Sequence, residues 1–346
     1  MRSMIVRAGV VALASCWLAT AVAQSPAVDP RNSEFAKEQQ ARQQTQPLNN
    51  APLWREIRSG IPQVTSLPGR ETNVLIQPEG QTWRALRVPM ATIGGFAFVF
   101  TLLALLGFYL WRGPLRLHGA PTGRLIERFS VAERAVHWTV AITFTTLAIT
   151  GLILTFGKTV LLPLIGYSLF AFLAILAKNI HNFVGPVLVV ALPVMIVLFF
   201  RENIWRAYDW MWLRKAGGMI SGEHVPAGKA NAGQKILFYL MVVVLGIALS
   251  ISGLVLNFPN FDQTRQTMQI ANSIHFVAAM IAVCLLAGHI YLGTIGMTGA
   301  WQAMRYGYVD ETWAREHHQY WYNDVMSGRE PRATEPPPAP IRHRVA

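Results

Sequence analysis

The sequence has little cysteine and little charge. Its 346 residues include two cysteines, Cys16 and Cys284, and only 14% are Asp, Glu, Lys or Arg. Two distant cysteines exclude a disulfide framework and an iron–sulfur cluster, which needs about four thiolates. Ordinary soluble domains carry about 25% charged residues, so this composition, with 52% hydrophobic residues, indicates a membrane protein. Any redox centre in the chain must therefore use histidine.

The N-terminus has the pattern of a cleavable secretory signal over residues 1–23. Arg2 and Arg7 precede an apolar run that ends in small residues at positions 21–23. A charged start, an apolar centre and small residues at the cleavage point are typical of such signals. A lipoprotein-type cleavage before Cys16 and an uncleaved anchor remain alternatives. Residues 24–88, rich in Gln, Asn, Pro and charge, predict a polar extension that is largely extended or disordered.

Five apolar segments follow, each near the length of about 20 residues that a membrane-spanning helix needs. They are Val88–Leu110, Ala135–Phe156, Ile180–Phe200, Ile236–Leu256 and Ile270–Ile295. The region Thr159–Ala177 is also apolar, but it contains Pro163 and Gly166. These two residues favour an interfacial or re-entrant segment over a sixth span.

The basic residues predict the orientation of the spans. The connections 112–134 and 201–235 hold five and six Lys or Arg, whereas 157–179 holds two and 257–269 one. The positive-inside rule places the basic connections in the cytoplasm. This alternation works with five spans and fails with six. It puts residues 24–88 outside and the C-terminus in the cytoplasm.

Four of the nine histidines lie in apolar segments. His275 and His289 are fourteen residues apart, which places them on one helix face about 21 Å from each other. The predicted orientation puts His137 at the depth of His289 and His181 at the depth of His275. The other five are in polar connections or the tail, where a solvated imidazole is the default: His118, His224, His317, His318 and His343.

Two opposed histidines on packed helices are what a six-coordinate b-type haem requires. The sequence therefore predicts two haem b, one held by His137 with His289 and one by His181 with His275. A zinc or copper ion would find too few ligands in either pair. Glycines near the ligands, at positions 151, 185 and 293, allow close approach of a macrocycle, although helix packing alone also explains each one.

The chain resembles the gamma subunit of membrane-bound formate dehydrogenases, a cytochrome b. The matching residues, which fall within about 124–326, are Glu127-Arg128-Phe129-Ser130, His137-Trp138, Thr150-Gly151-Leu152, Lys178 to Pro186, Asn231-Ala232-Gly233-Gln234-Lys235, His275, His289, Gly293-Thr294, Gly307-Tyr308-Val309-Asp310, Trp313-Ala314 and His317-His318. The resemblance implies an all-α four-helix di-haem bundle. Its partners would be an iron–sulfur beta subunit and a molybdenum or tungsten alpha subunit that oxidises formate.

The resemblance also implies a quinone site, for menaquinone or ubiquinone, near the cytoplasmic face. His289 would serve both the inner haem and the quinone, with Asn231 and Gly233 lining the site. A turn with a helix-start cap is an equally good interpretation of Asn231 and Gly233. The chain itself would transfer electrons and reduce quinone within the oxidoreductase, without a catalytic residue for formate. We expect contacts with membrane lipid and no nucleic-acid partner.

The predicted organisation is a signal peptide, a periplasmic extension, an additional transmembrane helix, the di-haem core and a cytoplasmic tail. These occupy residues 1–23, 24–88, 89–111, 124–305 and 306–346. One alternative keeps the haems but changes the partner, as in the related cytochromes b of hydrogenase or thiosulfate reductase. Another is a haem-free transporter with a histidine proton relay. That class predicts acidic partners inside the spans, and the five apolar segments contain none.

Overall fold

A computed structural model describes residues 37, 41, 45 and 78–330, apart from 262. The predicted signal peptide, most of the predicted extension and the last part of the tail lie outside the described residues. The chain divides into two units, one of Met1–Ala85 with Thr264–Gln266 and a larger one of Leu86–Gln263 with Thr267–Ala346. The sites discussed below belong to the larger unit.

Helices dominate the described part of the chain. In chain order the elements are α1 (Pro78–Arg112), β1 (Leu125–Glu127), α2 (Val131–Val160), α3 (Leu162–Phe200), α4 (Ala207–Arg214), α5 (Ala232–Asn257), α6 (Arg265–Tyr291), α7 (Ala300–Tyr306), β2 (Tyr308–Asp310), α8 (Glu311–His317) and α9 (Gln319–Met326). A π-helical stretch, Phe238–Leu245, interrupts α5, and another, Leu292–Gly296, extends α6.

Five of these helices are long and apolar enough to cross a membrane, namely α1, α2, α3, α5 and α6. The prediction of an all-α membrane protein is confirmed, and the described residues contain five candidate spans, as expected. The ends of α2 follow from the sequence, because Ser130 forms a capping box with Glu133 at its start. Lys158 follows in the last turn, where a cation complements the helix dipole.

The prediction of a separate interfacial segment at 159–177 is wrong. Residues from Leu162 onward belong to α3, and the only break is at Gly166, which has φ 76° and ψ 172°. Pro163 stands in the first turn of the helix, where its missing N–H costs nothing. Both helix breakers therefore shape the tight turn between α2 and α3. From residue 167 to Phe200, α3 is roughly 50 Å long at ~1.5 Å per residue, longer than the bilayer's hydrocarbon core.

Helices α2, α3, α5 and α6 share one hydrophobic core. Its buried residues are Val140, Phe144, Leu188, Ala191, Leu192, Leu245, Ala278 and Ala282. Helix α1 contributes none of them and exposes large apolar side chains such as Phe96 and Phe100, as a helix facing lipid does. Its contact with α6 passes through Gly94, where an added Cβ would lie 2.8 Å from Met280 Cγ.

A second, smaller core closes one end of the bundle. We call this region, residues 113–130, 201–231 and 297–330, the basic-end cap. Strands β1 and β2 pair antiparallel in it, with Ile126 opposite Val309. Its buried apolar residues are Ala303, Val309, Trp313, Ala314, Trp321 and Val325. The cap therefore holds the connections 112–134 and 201–235 against the C-terminal helices.

A buried ion pair connects α4, which belongs to the cap, to α5. Lys235 Nζ lies 2.7 Å from Asp209 Oδ2, and the two side chains are 1% and 0% exposed. Lys235 also donates to the Ile204 carbonyl at 2.9 Å. A buried charge is tolerated only when paired and hydrogen-bonded, so this pair fixes the start of α5 relative to the connection before it.

Candidate functional site

The four histidines of the apolar segments form two neighbouring pairs. The ring centroids of His137 on α2 and His289 on α6 are 6.1 Å apart. Those of His181 on α3 and His275 on α6 are 6.2 Å apart. Helix α6 thus supplies one member of each pair, and we call the first the cap-side pair and the second the distal pair.

The ring separations match two imidazoles on opposite sides of one metal ion. An imidazole nitrogen binds a metal at about 2.0 Å, and the ring centroid lies about 1.1 Å behind it, which gives roughly 6 Å between two opposed centroids. Each pair also joins two different helices, as a haem held between helices requires. Both pairs therefore fit the axial ligands of a haem.

In the distal pair, the hydroxyl of Thr150 is the hydrogen-bond partner of His181. His181 Nδ1 lies 2.8 Å from Thr150 Oγ1, and that hydroxyl donates to the Thr146 carbonyl at 2.8 Å. With the hydroxyl proton directed to that carbonyl, the oxygen is the acceptor for Nδ1–H. The Nε2 of His181 is then unprotonated, which is the form that binds a metal.

The same arrangement recurs at the other member of the distal pair. His275 Nδ1 lies 3.0 Å from Ser252 Oγ, and Ser252 donates to the Ala248 carbonyl at 2.6 Å. A histidine that ligates a metal almost always donates its other ring N–H to an acceptor in this way. Sequence reasoning missed Thr150 and Ser252, because a hydroxyl in an apolar helix usually only bonds its own helix.

Glycines flank both rings of the distal pair. A Cβ at Gly151 would lie 3.4 Å from His181 Cε1, and one at Gly253 would lie 3.3 Å from His275 Cε1. Gly151 is one of the glycines expected near the histidines, whereas Gly253 was missed; the predicted approach of a macrocycle stays a prediction. An added Cβ at Gly185, the other glycine expected near this pair, would meet nothing within 4 Å. The space beside His181 is therefore open on its own helix.

The cap-side pair lies in the wall of a cavity of about 1180 Å³. Ligand pockets usually measure about 300–1,000 Å³, so this one has room for a large group. A Cβ at Gly288 or Gly293 would meet nothing within 4 Å. His137 Nδ1 is buried and has no hydrogen-bond partner among the described residues. The cavity therefore has both the open flank and the nitrogen donors that a haem needs.

Arg128 adds a cation to the same cavity. Its side chain is buried, donates from Nη2 to the Lys229 carbonyl at 2.8 Å, and packs over Trp313. Its Nε has no partner in the part of the chain that the structure describes. Burial lowers the pKa of the guanidinium, which Glu202 partly offsets, but arginine stays charged in proteins. A haem carries propionate carboxylates, and an unpaired guanidinium N–H suits such a group.

Asn231 and Gly233 line the same cavity as His137 and His289. Asn231 is the N-cap of α5: its Oδ1 accepts from Gln234 N at 2.9 Å, and Gln234 Oε1 accepts from Asn231 N at 3.0 Å. The capping interpretation is therefore correct. The capping box uses the side-chain oxygen of Asn231 and does not involve its NH₂ group. Gly233 is required by packing, because a Cβ there would lie 2.9 Å from Trp212 Cη2.

The default of solvated imidazoles is wrong for His318, which is 1% exposed in the basic-end cap. Its Nδ1 lies 2.6 Å from the Gly228 carbonyl, so Nδ1 carries a proton and donates it. Burial lowers the pKa of His318 well below its usual value, with Arg128 adding to the effect. His317 is also largely buried, whereas His343 lies outside the described residues. Trp313 contacts the imidazoles of both His317 and His318. A tryptophan so close in sequence could have indicated that these histidines are packed and not solvated.

A family model described as prokaryotic cytochrome b561 matches residues 128–307. Among curated proteins, the chain is similar to the cytochrome b556(fdo) subunit of formate dehydrogenase from Escherichia coli K12, with 28% identity over 60% of this chain and 97% of that protein. The nitrate-inducible cytochrome b556(Fdn) subunit of the same strain is 29% identical over 61% and 97%. A formate dehydrogenase cytochrome b556 subunit of Haemophilus influenzae is 26% identical over 58% and 84%.

The family match covers just over half of the chain. It contains nearly all of the four-helix core and both histidine pairs. Cytochromes of the b class bind haem b, and the two histidine pairs and the cavity fit that cofactor. The chain is thus an integral membrane protein with haem b as its cofactor, and it belongs to the prokaryotic cytochrome b561 family.

Proposed function

We propose that this chain is the membrane-anchoring gamma subunit of a formate:quinone oxidoreductase. It would carry electrons from a periplasmic iron–sulfur subunit to a quinone near the cytoplasmic face. The observation that supports this proposal most is the presence of two histidine pairs, with ring separations of 6.1 and 6.2 Å, on one shared helix. The similarity to formate dehydrogenase cytochrome b subunits over 97% of their length supports the choice of complex.

His137 and His289 would hold one haem b, and His181 and His275 would hold the other. When bound, the two haems would supply one-electron transfer at two depths of the membrane. Two imidazole ligands for each haem would suit electron transfer rather than oxygen activation. Thr150 and Ser252 would keep the distal histidines in the required tautomer.

The orientation follows the distribution of basic residues. The basic-end cap would face the cytoplasm of a bacterial inner membrane, and the distal pair would lie toward the periplasm. The N-terminus would be periplasmic after signal cleavage. The iron–sulfur beta subunit and the molybdenum or tungsten alpha subunit would then dock at the periplasmic end, where the turn between α2 and α3 is located.

The quinone would bind in the cavity of the cap-side pair. Asn231 would donate its NH₂ group to a quinone carbonyl, and His289 would serve both the haem and the quinone. Gly233 would contribute by letting Trp212 pack close to the cavity wall. The cavity volume of about 1180 Å³ leaves room for a quinone ring beside a macrocycle.

The organisation along the chain completes the proposal. Residues 1–23 would be the cleaved signal, 24–88 a periplasmic extension, 89–111 an additional span, 124–305 the di-haem core and 306–346 the cytoplasmic tail. The additional span lies within α1, beside α6. It would return the chain to the cytoplasm after an exported N-terminus.

Purification of the intact complex from membranes tests this function. We expect an iron–sulfur subunit and a molybdenum- or tungsten-containing subunit to co-purify, and formate to reduce the b-type optical bands. Cells that lack this chain are the matched control: formate oxidation with a soluble dye should be found outside the membrane fraction, and formate should not reduce quinone. A nickel–iron partner, with b-type bands that hydrogen reduces and formate does not, would contradict the choice of formate dehydrogenase.

A further inference from the structure

Three side chains from separate segments of the basic-end cap form a cluster outside the two histidine pairs. They are His118 from the segment after α1, His224 from the connection between α4 and α5, and Glu316 from α8. One ligand atom of each lies within 4.8 Å of the other two. His224 Nε2 is 3.4 Å from Glu316 Oε2, and the rings of His118 and His224 are 4.2 Å apart between centroids.

The spacing and the donor types fit a tetrahedral zinc-type ion. At metal–ligand distances of about 2.0–2.1 Å, neighbouring ligands of a tetrahedral site lie about 3.3–3.4 Å apart. The separation of His224 Nε2 from Glu316 Oε2 already has this value. Two histidines and one glutamate form a known zinc donor set, and imidazole suits zinc, copper and nickel better than magnesium or calcium. We propose that His118, His224 and Glu316 bind a divalent zinc-type cation.

The carboxylate is already held in place without a metal. Glu316 Oε2 accepts from the backbone N–H of His118 at 3.0 Å, and Oε1 accepts from the N–H of Gly119 at 2.8 Å. Its side chain is 9% exposed. These bonds orient the carboxylate toward the same segment that carries the His118 ring, so two ligands are positioned relative to each other before a cation binds. Each carboxylate oxygen retains a further lone pair for a metal.

A fourth nitrogen lies next to the cluster. The ring of His317 is 5.8 Å from that of His224 between centroids. Its Nε2 is buried and has no hydrogen-bond partner among the residues that the structure describes. A buried polar atom without a partner is costly, and coordination would satisfy it. His317 stands outside the group of three whose ligand atoms lie within 4.8 Å of one another, so it would have to move to become a fourth donor.

A cation in this site would tie three segments together over the cap-side cavity. His118, His224, Glu316 and His317 line the same cavity as His137. Since the three proposed ligand segments are far apart in sequence, a shared metal bond would restrict their relative motion and close one wall of the cavity. This role does not depend on the identity of the partner subunits.

Zinc binding to the purified protein in detergent tests the proposal. The protein carries no polyhistidine tag, is stripped with EDTA and is then titrated with radioactive zinc by equilibrium dialysis. We expect one zinc per chain, and an affinity lowered at least about 10-fold in His118→Ala and in His224→Ala, since even outer-shell changes cost about 10- to 100-fold. Glu223→Gln, a neighbouring exposed carboxylate paired with Lys215, is the matched control and should bind zinc as the unchanged protein does.

The haem spectrum of each variant separates this site from the haem sites. Weaker zinc binding with unchanged b-type bands supports the proposal. Unchanged zinc affinity in both single histidine variants overturns it, and so does a loss of haem in these variants, which would assign the two side chains to the haem pocket. The zinc count of the unchanged protein is independent of haem, so failure of the di-haem proposal would be recognised separately.

Discussion

Removing the hydroxyl beside His181 should raise the potential of one haem and leave the other unchanged. In Thr150→Val the side chain keeps its size but loses the oxygen that lies 2.8 Å from His181 Nδ1. Donation from Nδ1–H makes the opposite nitrogen a stronger electron donor to iron, which stabilises the oxidised state. The loss of this hydrogen bond should therefore favour the reduced state of the haem held by the distal pair.

The expected size follows from the worth of the hydrogen bond. A neutral hydrogen bond contributes about 0.5–1.5 kcal/mol. We take this amount as the difference in hydrogen-bond strength between the oxidised and the reduced haem. Since about 1.4 kcal/mol corresponds to 59 mV for one electron, the midpoint potential should rise by roughly 20–60 mV. Ser252→Ala removes the equivalent acceptor from His275, at 3.0 Å, and should give a shift of similar sign and size.

A potentiometric titration of the b-type optical bands measures the two potentials. Thr143→Val is the matched control, because its hydroxyl on the same helix bonds the Thr139 and Val140 carbonyls and not a histidine. One haem should shift in Thr150→Val and neither in the control. A shift of both haems, or of neither, would refute the assignment of the hydroxyl to the distal pair.

Three further changes test the cavity and the cap. Asn231→Ser retains an oxygen that can cap α5 but lacks the NH₂ group, so the rate of quinone reduction should fall while thermal stability is unchanged. If the variant instead loses about 1 kcal/mol of stability and reduces quinone normally, Asn231 has only a structural role. Gly293→Leu should fill the open space beside the cap-side pair, and the optical spectrum should then show the loss of one haem. Gly107→Leu on α1 is the control, because a Cβ there also meets nothing within 4 Å, and this variant should retain both haems. Asp209→Asn leaves Lys235 buried without a charge partner and should lower the free energy of unfolding by about 3–5 kcal/mol, measured by denaturant titration; a change below about 1 kcal/mol would contradict the buried ion pair.

The number of spans and the pairing of the histidines can both be predicted from the pattern of apolar and basic residues. Apolar length fixes the number of spans, and the alternation of basic connections fixes the depth of each residue along them. Residues at equal depth on packed helices become neighbours, as His137 and His289 do. Ligation of haem by these residues, the quinone site and the domain boundaries remain predictions.

The sequence does not show where a tight turn ends or which distant connections meet. Pro163 and Gly166 indicate a break, but only the three-dimensional path places both at the start of α3. The cluster of His118, His224 and Glu316 depends on three segments folding over one another, which no local pattern records. Such residues resemble ordinary solvated groups until the cap is assembled.

The number of haem b groups per chain tests the central claim most directly. The pyridine haemochrome spectrum of the purified protein should give two haems per chain, and His275→Ala should give one. Because the ring that faces His275 belongs to His181 and not to the cap-side pair, the cap-side haem should keep its spectrum in that variant. An unchanged protein without haem b, or a His275→Ala variant that still holds two, would contradict the account.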